Sequence, residues 1–198
     1  MKALFSAIRQ SDFGKVKTLI EKKPELVNCV AKQPPKKDDG QSPLQVAFKT
    51  GNFDIADYLV DQGANVNFIE AESINEWKAP VIHDAIRAAT LSSRFPGWGG
   101  IQNSKERFER ALSSLRKMID SGANIRSVDS YGNNCIMRAT LDARQLQIND
   151  ENKEVIEDLT RVFQLLITSG ADVNECNSKR DSVVKLFGHE PVARFFGV

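Results

Sequence analysis

The phrase Gly63-Ala64-Asn65-Val66-Asn67 returns as Gly122-Ala123-Asn124-Ile125, and again as Gly170-Ala171-Asp172-Val173-Asn174. Each copy follows an amphipathic apolar run: Ile55, Tyr58 and Leu59, then Leu115, Met118 and Ile119, then Phe163, Leu166 and Ile167. A helix closed by glycine and followed by a short extended stretch is one supersecondary unit. One such unit cannot bury its apolar face alone, so its repetition predicts a stacked array in which neighbours cover each other. The fold class expected is all-α.

Upstream of the first copy the chain reads Asp39-Gly40-Gln41-Ser42-Pro43-Leu44-Gln45-Val46-Ala47-Phe48, then Gly51-Asn52-Phe53-Asp54. Residues 40–67 resemble the ankyrin repeat nearly throughout, with Ser42 for its Thr and Gln45 for its His. The likeness is partial in Asn134-Cys135-Ile136-Met137-Arg138-Ala139 and in Val81-Ile82-His83-Asp84-Ala85, which keeps the His. It implies an ankyrin-repeat solenoid of about five helix-pair repeats with β-turn fingers. The approximate repeats are 1–36, 37–69, 75–128, 129–176 and 177–198, forming a single domain over 1–198. The short, irregular form resembles bacterial members of the family.

The departures from the pattern carry information. Successive Gly-Ala phrases are roughly 59 and then roughly 48 residues apart, against a family period of about 33. In the third repeat the excess falls in the finger around Asn67–Ala79 and between the helices around Thr90–Arg110. In the fourth it falls between the helices around Arg144–Lys153. Phe108, Leu112, Leu115 and Ile119 keep helical spacing, as do Val155, Leu159, Val162 and Leu166. The second helices of both repeats are therefore expected to be lengthened at their N-terminal ends. Asn103, with Glu106 as partner, is the expected start signal of one. Asn149 or Asp150, with Glu151 in the first turn, is that of the other. The two additions should lie side by side on one rim, either covering each other or carrying a site. Between them, Phe95, Trp98 and Ile101 stand in a Gly- and Pro-rich stretch. They either tuck back onto the rim or meet a partner. Trp77, in the long third finger, is expected at an exposed tip.

Charge and motifs narrow the function. The net charge is +1, which gives no bulk attraction to nucleic acid or membrane. Cys29, Cys135 and Cys176 are scattered and odd in number, the pattern of a reducing compartment. The N-terminus is charged too early for a signal peptide, and no apolar run is long enough to span a bilayer. The expectation is a cytoplasmic chain. No nucleophile elbow, phosphate loop or metal-ligand spacing stands out, so neither an enzyme nor a cofactor is expected. His83 occupies the position of the repeat's structural His, and His189 is expected to be a cap or surface residue. Glu151, Glu154, Glu157 and Asp158 read as a solvated acidic face at a helix start. Lys36 and Lys37, beside Pro34 and Pro35, read as a stiff exposed finger.

The family resemblance implies a protein-interaction module, an adaptor or an inhibitory partner, binding through the concave face of fingers and first helices. Carried over in frame, its contact residues are Asp39, Gln41, Lys49, Trp77, Arg87, Tyr131, Asn133 and Asp142, with Asp38, Thr50, Glu76, Ser130 and Leu141 beside them. The expected partner is another protein rather than nucleic acid, membrane or a small-molecule substrate. Two other classes stay open: a structural protein that self-associates through the inserted apolar rim, and an enzyme with its site in the insertions.

Overall fold

The structure is a computed structural model that describes residues 1–33, 35–74, 76–95 and 102–197. Among these residues there are helices and turns but no strands. They fall into consecutive pairs: α1 (Lys2–Arg9) with α2 (Phe13–Lys22), α3 (Pro43–Lys49) with α4 (Phe53–Asp61), and α5 (Val81–Leu91) with α6 (Lys105–Asp120). Next come α7 (Cys135–Ala143) with α8 (Lys153–Thr168), and α9 (Val183–Phe187) with a 3-10 turn at Pro191–Phe195. The first helices α1, α3, α5, α7 and α9 pack successively in one layer, and α2, α4, α6 and α8 form the second. The fold is an all-α repeat solenoid.

Local chemistry explains the helix limits. Ser42 and Gln45 form a reciprocal capping box at α3, each side-chain oxygen 3.2 Å from the other's backbone nitrogen. Asn134 caps α7 and Ser182 caps α9 in the same place in the frame. Gly63, Gly122 and Gly170 end α4, α6 and α8 with φ of +84°, +88° and +100°, a conformation that a Cβ disfavours. The alanine after each glycine donates back five residues, to Leu59, Met118 and Leu166, which satisfies the otherwise orphaned carbonyls.

An asparagine ladder joins the ends of neighbouring second helices. Asn28 Nδ2 donates to the Gly63 carbonyl at 3.0 Å, and its Oδ1 accepts from the Asn65 backbone at 2.7 Å. Asn67 repeats the pair on Gly122 and Asn124, at 2.9 and 2.7 Å. The next rung would fall on residue 126, which is Arg, and there the ladder stops.

The core is one apolar cluster running from Leu4 to Phe196. Leu59, Phe108, Leu115, Met118, Phe163 and Leu166 are all fully buried in it. Both stripes read from the sequence face inward, apart from Ile119, which is half-buried. Helices α6 and α8 run to 16 residues each, against nine in α4, and their added turns lie together. There Arg161 grips Glu109 with two hydrogen bonds of 2.6 and 2.7 Å.

The lengthened helices start one to three residues later than expected. Ser104, not Asn103, caps α6, because Asn103 donates instead to the Leu91 and Ser93 carbonyls and closes the inserted loop. Asn149 holds a separate turn by accepting from the backbones of Glu151 and Asn152, and α8 opens only at Lys153.

The acidic face of α8 also differs from expectation. Asp158 is fully buried and binds Arg94 of the inserted loop, while Glu157 holds the same guanidinium from outside at 2.9 Å. Phe95 packs back against the core. Pro34, Trp98 and Ile101 lie outside the described residues. His83 Nε2 sits 3.2 Å from the Ser127 carbonyl, the structural role expected of it, and His189 is exposed.

Candidate protein-binding face

The face is built on α3, α5 and α7, which carry charged residues beside their buried alanines. Gln45, in the frame position of the repeat's His, projects from the first turn of α3 toward the next repeat. Its Nε2 donates to Glu70 Oε1 at 3.0 Å, to the Ala79 carbonyl at 3.3 Å and to Asp84 Oδ2 at 3.0 Å. One turn on, Lys49 Nζ stands 3.5 Å from Glu70 and 3.7 Å from Asp84. Two buried carboxylates thus share one ammonium and one amide. Burial pushes the Asp84 carboxyl up to about 6, against the pull of Lys49 and Gln45, and raises Glu70 for the same reason.

Trp77 links this group to the next repeat. Its indole Nε1 donates to Asp129 Oδ2 at 2.8 Å. The Lys49 ammonium and the Arg138 guanidinium lie 5.7 and 5.8 Å from the ring centroid, within cation–π range. Asp129 also accepts from the Asn133 amide and from the backbones of Tyr131 and Asn133, each at 2.9 Å. Burial works to raise this carboxyl, but the hydrogen bonds from Trp77 and Asn133 prevail and hold it below the usual range. Trp77 is accordingly half-buried between fingers, not at an exposed tip, because its N–H has an acceptor waiting in the next finger.

Asp142, at the end of α7, is buried beneath two arginines. Arg138 reaches it with bonds of 2.8 and 2.7 Å, and Arg87 of α5 with one of 2.9 Å. Burial raises the carboxyl, which the two guanidiniums partly offset. His83 is pushed down to about 4, chiefly by burial, so it is neutral at pH 7. A carbonyl only accepts, so the His83 proton facing Ser127 belongs on Nε2.

Of the residues expected from the sequence, Lys49, Trp77, Arg87 and Asp142 come together here. Tyr131 stands at the tip of the following finger, 46 % exposed. Asp39 lies in the second finger, where it accepts from the backbones of Gln33 and Ile74. Gln41 and Asn133 are buried, the Gln41 side chain against Glu70 of the next repeat and that of Asn133 on Asp129 of its own turn, so neither offers a side chain outward. Asp38 is buried against Arg9. Sequence reasoning missed Glu70, Asp84, Arg107 and Arg138. Asp84 and Arg138 had a signal: both fill the variable position before the motif's alanine, in successive repeats, with opposite charge.

A family model described as ankyrin repeats (3 copies) matches residues 1–70. None of the curated proteins matches the chain. Among the described residues no helix is long and apolar enough to cross a membrane. Ankyrin repeats are generally protein–protein interaction modules, and typically not enzymes. The matched N-terminal repeats, and the helix pairs that continue the same stack to the C-terminus, support an ankyrin repeat family protein.

Proposed function

We propose that the chain is a single non-enzymatic stack that holds another protein across the α3, α5 and α7 face and its fingers. It acts as an adaptor or inhibitory partner in the cytoplasm. One observation carries this reading: the Lys49–Trp77–Arg138 sandwich joins three successive repeats into one continuous strip of cationic and aromatic groups. Such groups dominate interface energy when they are pre-positioned, because little side-chain freedom is then lost on binding. Arg87, with its side chain 41 % exposed, and Tyr131 flank the strip and are accessible. The three unpaired cysteines agree with a reducing compartment.

The experiment is capture of a partner from the native lysate by the whole chain and by an Arg87→Ala, Tyr131→Ala double variant. Neither change removes a core contact, since Arg138 still neutralises Asp142. The double variant is expected to weaken capture by at least ~2 kcal/mol with an unchanged melting temperature. Loss of capture on Trp98→Ala, with none on the double variant, would move the site to the insertion and defeat the reading.

A further inference from the structure

Between the second and third repeats the face opens into a cavity of about 370 Å³. Its lining includes Lys49, Trp77, Asp84, Arg87, Leu91 and Arg107. The charges are sorted by depth. Asp84 is buried in the floor, whereas the guanidiniums of Arg87 and Arg107 are accessible. Arg87 uses only Nη1, on Asp142, and keeps further N–H donors free of any acceptor among the described residues. Arg107 has no carboxylate partner among the described residues and lies over the Phe53 ring, 5.7 Å from its centroid.

Arg107 is there because of the insertion. Helix α6 extends about two turns beyond the start of the nine-residue α4, and Arg107 sits in that extension. Gly51 makes room for it: φ is +69°, and a Cβ at this position would come within 2.7 Å of Arg107 Nη2. The added turns therefore do more than cover α8. They bring a third cation to the mouth of the cavity.

We propose that this pocket takes the carboxylate of an acidic segment of the partner protein, an Asp or Glu followed by an apolar residue. The inference rests on the concave-face reading above and deepens it. Arg87 and Arg107 supply the counter-charge, with Lys49 already held by Glu70 and Asp84, in a partly desolvated site where charge-assisted bonds to carboxylate are strong. The cavity is far larger than a carboxylate, and Phe48, Phe53, Ala88 and Leu91 give it apolar wall. That wall suits the stem and neighbour of an acidic side chain better than a bare anion, whose whole surface must stay solvated or hydrogen-bonded.

The test is an NMR titration of the isotope-labelled full chain with three probes: a Gly-Ser-Glu-Leu-Glu-Leu-Ser-Gly peptide, the same peptide with both Glu replaced by Gln, and inorganic phosphate. The Glu peptide is expected to shift the Trp77 indole and the amides of 49–53 and 87–92, saturating in the millimolar range. The Gln peptide should bind at least about fivefold more weakly, as should the Glu peptide to Arg107→Gln. Lys117→Gln, which removes a charge at the far end of the same helix, should change nothing. Equal binding of the two peptides overturns the carboxylate pocket and leaves the concave-face reading standing. Unchanged affinity in Arg107→Gln, phosphate binding as tightly as the peptide, or no shift with any probe also overturns it. In that last case the capture experiment still decides the broader reading by itself.

Discussion

The Arg94 guanidinium closes on the buried Asp158 carboxylate, with Nη2 2.8 Å from Oδ1 and Nε 3.1 Å from Oδ2, and the Arg94 backbone N–H adds a third donor to Oδ2 at 2.8 Å. The two residues come from the loop inserted in one repeat and the lengthened helix of the next. This pair ties the two insertions into one body. The carboxylate in turn holds the guanidinium charged more firmly than usual, mainly through these hydrogen bonds.

Arg94→Ala should therefore cost about 3–5 kcal/mol in urea unfolding, because it strands a buried carboxylate. An Arg94→Met, Asp158→Leu double variant should cost clearly less than the single change, since no charge is then left in the interior. A loss below about 1 kcal/mol for Arg94→Ala would show that Asp158 is hydrated in solution.

The asparagine ladder makes a paired prediction. Asn67→Ala removes two inter-repeat hydrogen bonds at an exposed edge and should destabilise by about 1–2 kcal/mol. Arg126→Asn restores the missing rung toward Gly170 and should stabilise by about 0.5–1 kcal/mol. Melting temperatures of the two variants should move in opposite directions, and the same direction for both would discount the ladder.

Trp77 can be ranked against the core. Leu59→Ala opens a cavity in the best-formed repeat and should cost about 2–5 kcal/mol. Trp77→Phe keeps most of the ring but drops the bond to Asp129, for a loss of about 1 kcal/mol. Asp129 retains its bonds from Asn133 and Tyr131, so the finger should stay folded. Calorimetric melting that ranks Trp77→Phe above Leu59→Ala would mean that the fingers, not the helices, carry the stability.

Two adjacent residues contribute to the pH dependence with opposite signs. Asp84 is raised from 3.8 to about 6, so between those values the unfolded chain releases its proton first and stability falls as pH rises. The penalty is complete above about pH 6, at about 3 kcal/mol. His83 is lowered from 6.5 to about 4, so stability falls as pH drops through that window. In the native chain the two slopes largely offset each other. Asp84→Asn should unmask the His83 slope: relative to the unmodified chain it should be about 2–3 kcal/mol more favourable at pH 7 than at pH 4 in urea titrations. A difference that does not change with pH would show that Asp84 is ionised normally.

The sequence by itself determined the architecture. Gly63, Gly122 and Gly170 each end a helix because the left-handed turn there needs no Cβ, and the apolar stripes before them have only one face to bury. Both signals are local, so they are readable along the chain, as were the two lengthened helices from the spacing of Phe108–Leu115 and Val155–Leu166. The tertiary structure alone decided where the polar residues went. Asp158 has the sequence surroundings of a solvated helix start, yet it is buried, because Arg94 arrives from another repeat to satisfy it. Trp77 in a polar finger reads as exposed until Asp129 supplies an acceptor. Arg107 looks like one more surface charge until the extended α6 sets it beside Gly51. A polar side chain is buried only where a partner meets it, and these partners lie about fifty or more residues away along the chain, beyond the reach of any local pattern.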